Sequence, residues 1–148
     1  MNDTNRTNRS TNQANILHKE LCYMVVGCLY DVRNLYGSGQ KELVYQNALA
    51  ELLAKNKLPF EREVLIKIRS KLSDKTLGNY RLDFVIDKKI IVEIKVMKFT
   101  PDKIQNQLFS YLFSTTYEVG YLVNFGSSRL YLKRVILTND RKHISFNS

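Results

Sequence analysis

Residues 81–96, RLDFVIDKKIIVEIKV, constrain the fold more than any other stretch of the chain. Two apolar runs flank Asp87, Lys88 and Lys89 and read as the arms of a β-hairpin. Centring the turn on Lys88 sets Asp83 opposite Glu93 and Arg81 opposite Lys95. Strand side chains alternate faces with a period of two. Leu82, Phe84, Ile86, Ile90, Val92 and Ile94 then form an apolar core face. Arg81, Asp83, Val85, Asp87, Lys89, Ile91, Glu93 and Lys95 fall on the other. Opposed residues hold their Cβ atoms about 4.5–5.5 Å apart, and two carboxylates that close repel unless a cation or a proton stands between them. Mg2+ prefers carboxylate oxygens and waters, and Lys95, two residues from Glu93, could hold or deprotonate a water beside it. The other reading is a solvated face on which Arg81 and Lys95 pair the acids. A slip of one residue would exchange the two faces.

The remaining elements fall around this hairpin. Leu17, Leu21, Met24, Val25, Cys28, Leu29 and Val32 recur at helical steps from about residue 16. The glycine-rich YGSG at 36–39 ends that helix. A second helix is predicted over about 41–55, with Tyr45, Ala48, Leu49, Leu52 and Leu53 as its apolar stripe. FEREVLIKIRSKL alternates as a strand, with Phe60, Val64, Ile66 and Ile68 on one side. After Thr100-Pro101 a helix is predicted over about 102–114. EVGYLVNF and RLYLKRVIL close the chain as two strands around a GSS turn. Helix, helix, three strands, helix and two strands make a mixed sheet with helices against it, in an α/β or α+β domain. The expected organisation is a disordered polar tail at 1–14, one domain at 15–138, and a C-terminal tail at 139–148.

The chain has 148 residues and a formal net charge of +9, which favours an anionic partner, nucleic acid being the commonest. A lysine-rich habit that only maintains solubility is the competing reading. No apolar run nears the roughly 20 residues that a membrane span needs. The polar amino end lacks the apolar core of a signal peptide, so the expected place is the cytoplasm, with no membrane partner. Cys22 and Cys28 suit neither a CxxC metal site nor a disulfide framework and read as core residues. His18 and His143 stand near no obvious nucleophile, so serine, cysteine and zinc chemistry are all unsupported. An apolar first helix leaves a homodimer open.

Two helical residues add to the acidic pair. Glu42 keeps step with Tyr45, Leu49 and Leu52, which sets a carboxylate on the core-facing stripe, where it needs a partner. It is also a first-turn Glu, which the helix dipole favours unaided. Gln107 and Tyr111 lie four apart on a face with Ile104 and Leu108. There Gln107 either hydrogen-bonds a functional group or simply faces water.

Asp83 followed by Glu93-Ile94-Lys95 at the end of an apolar strand resembles the D-x(n)-E-x-K signature of the PD-(D/E)XK nuclease superfamily. GQKELVY, through Gly39, Glu42 and Tyr45, resembles the G-x-x-E-x-x-Y pattern of that superfamily's GxxExxY family. Gln107 and Tyr111 resemble its Q-x-x-x-Y helix, GYLVNFG its penultimate strand end, and LKRV its last strand. The likeness spans roughly residues 16–137, with Leu82 where the superfamily's proline would stand. It implies an α/β, restriction-endonuclease-like core: a mixed β-sheet flanked by helices, with the site at one sheet edge. It also implies a metal-dependent nuclease using Mg2+ or Mn2+. Asp83 and Glu93 would be metal ligands, Glu42 a third, directly or through water, and the Ile94 carbonyl a fourth. Lys95 would position the attacking water and offset developing charge. Gln107 and Tyr111 would support the site or touch the nucleic-acid backbone. DNA is the expected substrate, and the lack of a compact aromatic-basic motif predicts little sequence specificity. The alternative is a catalytically inactive module of the same fold that binds nucleic acid or a protein partner.

Overall fold

The computed structural model describes residues 17–142. The tail expected at 1–14 lies outside the described residues, as do 143–148 with His143. The elements are α1 (Lys19–Tyr36), α2 (Glu42–Lys55), β1 (Phe60–Arg69), β2 (Thr76–Ile86), β3 (Ile90–Lys95), α3 (Asp102–Phe113), β4 (Val119–Asn124), β5 (Tyr131–Ile136) and α4 (Asn139–Lys142). The strands form one five-stranded sheet in the order β1-β2-β3-β4-β5. β3 and β4 are parallel, joined through α3, and every other pair is antiparallel. This is the mixed α/β sheet with flanking helices expected from the sequence.

α1 buries Cys22, Val25, Cys28, Leu29 and Val32 as one stripe at three- and four-residue steps. It stops at Gly37, whose φ of 73° suits glycine and whose N–H donates to the Arg33 carbonyl at 2.9 Å. α1 and α2 pack on one sheet face, against Phe84, Ile86, Ile90, Val92, Ile94, Val119, Tyr121, Val123 and Phe125. α3 covers the opposite face, where Leu108, Tyr111 and Leu112 meet Leu82, Val85, Ile91, Leu122 and Val135. The central strands are buried on both sides, which is why IIVEIK and VGYLVN read as near-continuous apolar runs.

The hairpin register follows the expected offset: Phe84 pairs with Val92, Val85 with Ile91, and Ile86 with Ile90. Asp87 and Lys88 take left-handed φ values of 50° and 56° in the turn, and Lys89 N–H closes it on the Ile86 carbonyl at 3.0 Å. Two expectations are corrected here. The second face is not solvated, because α3 buries Val85 and Ile91. Nor does the alternation run unbroken. Leu82 shares a face with Val85 and not with Phe84, so β2 changes phase at Asp83. β1 changes with it: Phe60 packs on the first face, while Val64 and Ile66 pack on the second. The break falls at Glu63, which has a left-handed φ of 51°. Arg62↔Phe84 and Val64↔Leu82 bracket it, with no pair between them. An irregularity of this kind re-aims a side chain, and here that side chain is Asp83.

The stretch from residue 139, read from the sequence as the start of a tail, begins with α4. Lys142 Nζ is buried there and donates to the Thr115 and Tyr117 carbonyls at 2.9 and 2.5 Å.

Candidate active site

Asp83 and Glu93 meet just beyond the last paired residues of the β2–β3 ladder, and each bonds the other's strand. Asp83 N–H donates to Glu93 Oε1 at 2.9 Å, and Ile94 N–H donates to Asp83 Oδ2 at 2.7 Å. Two carboxylates thus replace backbone carbonyls as ladder acceptors. Asp83 Oδ1 and Glu93 Oε2 receive no protein hydrogen bond among the described residues.

Glu93 is only 6% exposed. Its burial, and then the charge of Asp83, push its carboxyl up to about 8, against the pull of the Asp83 N–H bond and of Lys95. Burial raises the Asp83 carboxyl as well, aided by Glu63 and opposed by the Ile94 N–H bond, Lys95 and Arg62. The pair is therefore short of positive charge. Lys95, half-buried at the end of β3, lies within electrostatic reach of Asp83, Glu93 and Glu42.

Glu42 departs from its expected place. It is exposed, not on the buried stripe, and its Oε1 accepts from Gln46 Nε2 at 3.2 Å. Burial and the charge of Asp83 raise its carboxyl, and Lys95 lowers it, so it lies within electrostatic reach of Asp83 and Lys95. It does not complete a three-acid group: among the described residues no three His, Cys, Asp or Glu side chains gather to hold a metal ion. The pair alone has the chemistry of a hard-cation site, with carboxylate oxygens unclaimed by protein donors and charge in need of neutralisation. Ile94 contributes its N–H to Asp83 from within β3.

On the opposite side, Tyr111 is buried in α3 and its hydroxyl is raised by burial, Glu93, Tyr80 and Asp83. Gln107, exposed on the same helix, lies close enough to the Tyr111 hydroxyl to pull it back down. The Tyr80 ring packs on Tyr111 at 5.1 Å. Glu42, Asp83, Glu93, Lys95 and Tyr111 thus share one electrostatic neighbourhood, with Gln107 attached through Tyr111.

Two residues without an assigned role hold this neighbourhood in place. Asn124 is fully buried at the end of β4. Its Oδ1 accepts from Met97 N–H at 2.9 Å and Gly126 N–H at 3.0 Å, and its Nδ2 donates to Thr100 Oγ1 at 2.8 Å. It ties the segment after Lys95 to the neighbouring strand. An Asn inside the apolar run YLVNF was the available signal, since a buried polar side chain needs partners. Tyr45 does the same for α2. Its hydroxyl donates to the Gly37 carbonyl at 2.6 Å and accepts from Gln40 N–H at 3.1 Å. Its ring stacks on Phe125 at 4.5 Å and 6°. The turn before Glu42 is thereby fastened to the end of β4. Gly39 sits in open space without a left-handed φ, so the tight conformation belongs to Gly37.

A family model of the PD-(D/E)XK nuclease superfamily matches residues 19–135. The crystal structure of SSO0001 is similar in fold, with a TM-score of 0.50 and 24% identity over 75% of this chain. The chain spans 63% of that protein's length. None of the curated proteins matches it. No helix among the described residues is long and apolar enough to cross a membrane.

Proposed function

Since the chain belongs to the PD-(D/E)XK nuclease superfamily, we propose that it is a divalent-metal-dependent nuclease of the GxxExxY type that hydrolyses phosphodiester bonds in DNA with little sequence choice. The observation that carries this reading is the reciprocal Asp83–Glu93 arrangement, with Lys95 beside it. Asp83 and Glu93 are the side chains that would hold Mg2+ or Mn2+, with Glu42 reaching it through water and the Ile94 carbonyl as a further donor. A divalent ion held there supplies a Lewis acid for the phosphate and lowers the pKa of water. Lys95 orients the attacking water and offsets the negative charge that builds on the phosphate. Tyr111, supported by Gln107, closes the wall behind Glu93 and keeps bulk water from its buried side. The +9 net charge draws the polyanion in.

The test is incubation with labelled duplex, nicked, branched and single-stranded DNA, and with RNA, in Mg2+, Mn2+ or EDTA. Metal-dependent cleavage that disappears in Glu93→Ala is expected. Cleavage that survives EDTA, or that this variant retains, overturns the assignment. The incomplete acid group favours one second reading, a binding module that keeps the fold without the chemistry. Calorimetry separates the two: Mn2+ binding abolished by Glu93→Ala supports the nuclease, and its absence in the parent supports the module.

A further inference from the structure

The β1–β2 hairpin outgrows the sheet. β3 pairs with β2 only from Phe84 to Ile86, yet β1 and β2 stay paired from Val64↔Leu82 to Arg69↔Thr76. Residues 64–82 are thus a two-stranded ribbon with no third strand. From Val64 to Arg69 it extends about 17 Å, roughly half a turn of B-form DNA. One side, with Val64, Ile66 and Leu82, rests on the α3 cluster. The other carries Leu65 beside Arg81 and Lys67 beside Asn79, all exposed.

This ribbon concentrates charge. Residues 64–82 hold five cations, Lys67, Arg69, Lys71, Lys75 and Arg81, against the single acid Asp74. Among the described residues no ion pair engages Lys67, Arg69, Lys75 or Arg81. Leu72 at the tip is 98% exposed and Leu77 70%. The ribbon leads straight into the site, through Arg81, two residues before Asp83, and through the Tyr80 ring on Tyr111.

Building on the nuclease reading, we infer that residues 64–82 are an arm that lies in the major groove of duplex DNA and delivers the phosphodiester to Asp83 and Glu93. The major groove of B-form DNA, about 12 Å wide, admits a two-stranded ribbon. The deep, narrow major groove of duplex RNA does not. Cations along the arm neutralise phosphates on the groove walls, and the exposed leucines at its end meet sugars and base methyl groups. The arm selects helical form over sequence, because lysines and leucines are the commonest residues it presents, and only Asn79, Arg69 and Arg81 carry the amide or guanidinium forks that read a base edge bidentately.

Binding is measured in EDTA by fluorescence anisotropy. The ligands are a labelled 20-base-pair DNA duplex, the RNA duplex of the same sequence, and one DNA strand, each across a salt series. The triple variant Lys67→Gln, Arg69→Gln, Lys75→Gln is compared with a control that loses the same charge elsewhere: Lys19→Gln, Lys55→Gln, Lys133→Gln. The arm variant is expected to bind duplex DNA roughly tenfold more weakly or worse, with its salt slope reduced by about 0.9 for each phosphate it no longer neutralises. Its circular dichroism and Tm should be unchanged, and the control should bind within about twofold of the parent. Four results overturn the inference: equal weakening in the control, an arm variant that binds like the parent, duplex RNA bound as tightly as DNA, or the single DNA strand bound as tightly as the duplex. Because no metal is present, a protein that binds through the arm but never cuts sinks the nuclease reading alone. One that cuts with an indifferent arm sinks only this inference.

Discussion

Glu93 Oε1 holds the N–H of Asp83 at 2.9 Å, while Asp83 Oδ2 holds the N–H of Ile94 at 2.7 Å. Each carboxylate is a backbone partner for the opposite strand, so truncating either one removes a strand-pairing acceptor together with the charge, whereas the isosteric amide removes the charge alone.

The burial of this pair makes stability depend on pH. Burial raises Glu93 to about 8 in the folded chain, with Asp83 adding to the rise. The folded state therefore binds more protons than the unfolded one. In EDTA its contribution is fully present below about pH 4.5 and is lost as pH climbs through 8, on the order of a few kcal/mol in all. Tm measured from pH 5 to 9 should fall, and Glu93→Gln should flatten that slope. Mn2+ should raise Tm most at the alkaline end, because its ligands must first give up their protons. A parent Tm that climbs with pH in EDTA would contradict this.

Lys95 and Asp83 should fail differently. Lys95→Ala removes the cation but no carboxylate, so Mn2+ binding should persist while cleavage falls about 100-fold or more. Asp83→Asn should lose both. Titration calorimetry beside single-turnover cleavage reads the two quantities, and a Lys95→Ala protein that cuts normally would remove that residue from the chemistry.

Asn124→Ala strands the N–H groups of Met97 and Gly126 and the hydroxyl of Thr100. The expected loss is roughly 2–4 kcal/mol in urea unfolding. Cleavage should fall along with it, since the segment that follows Lys95 loses its tether.

Glycines at two positions give a contrast. A Cβ at Gly126 would lie 2.7 Å from Met97 N and 2.8 Å from Met97 O, both backbone atoms. Gly126→Ala should therefore destabilise by about 1–3 kcal/mol. Gly39 has nothing within 4 Å, so Gly39→Ala should stay within about 0.5 kcal/mol despite its place in the motif. Chemical denaturation of both variants checks the pair.

Much of the fold was legible in the residues. The element order and the hairpin offset followed from periodicity and turn chemistry, because IIVEIK and the stripe Cys22, Val25, Cys28, Leu29 and Val32 have unambiguous periods. Asp83 and Glu93 come together because the strands pair at that offset. What escaped was the change of phase at Asp83: a left-handed Glu63 has no sequence signal, since glutamate there looks like any exposed strand residue. The second buried face escaped as well, because Val85 and Ile91 on a charged parity read as solvated until α3 is laid over them. Glu42 sat a turn too early in its helix for apolar spacing to predict its exposure.

The phase break at Glu63 and Asp83 divides β2 into a root within the slab and a limb that pairs with β1 alone and rests on α3 at its base. The limb joins the slab through the backbone at Asp83, whose carboxylate also holds the Ile94 N–H. If duplex DNA occupies the limb as inferred above, occupying it and neutralising the acids should be linked through this residue. Whatever factor the first contributes to the second, the second must return to the first.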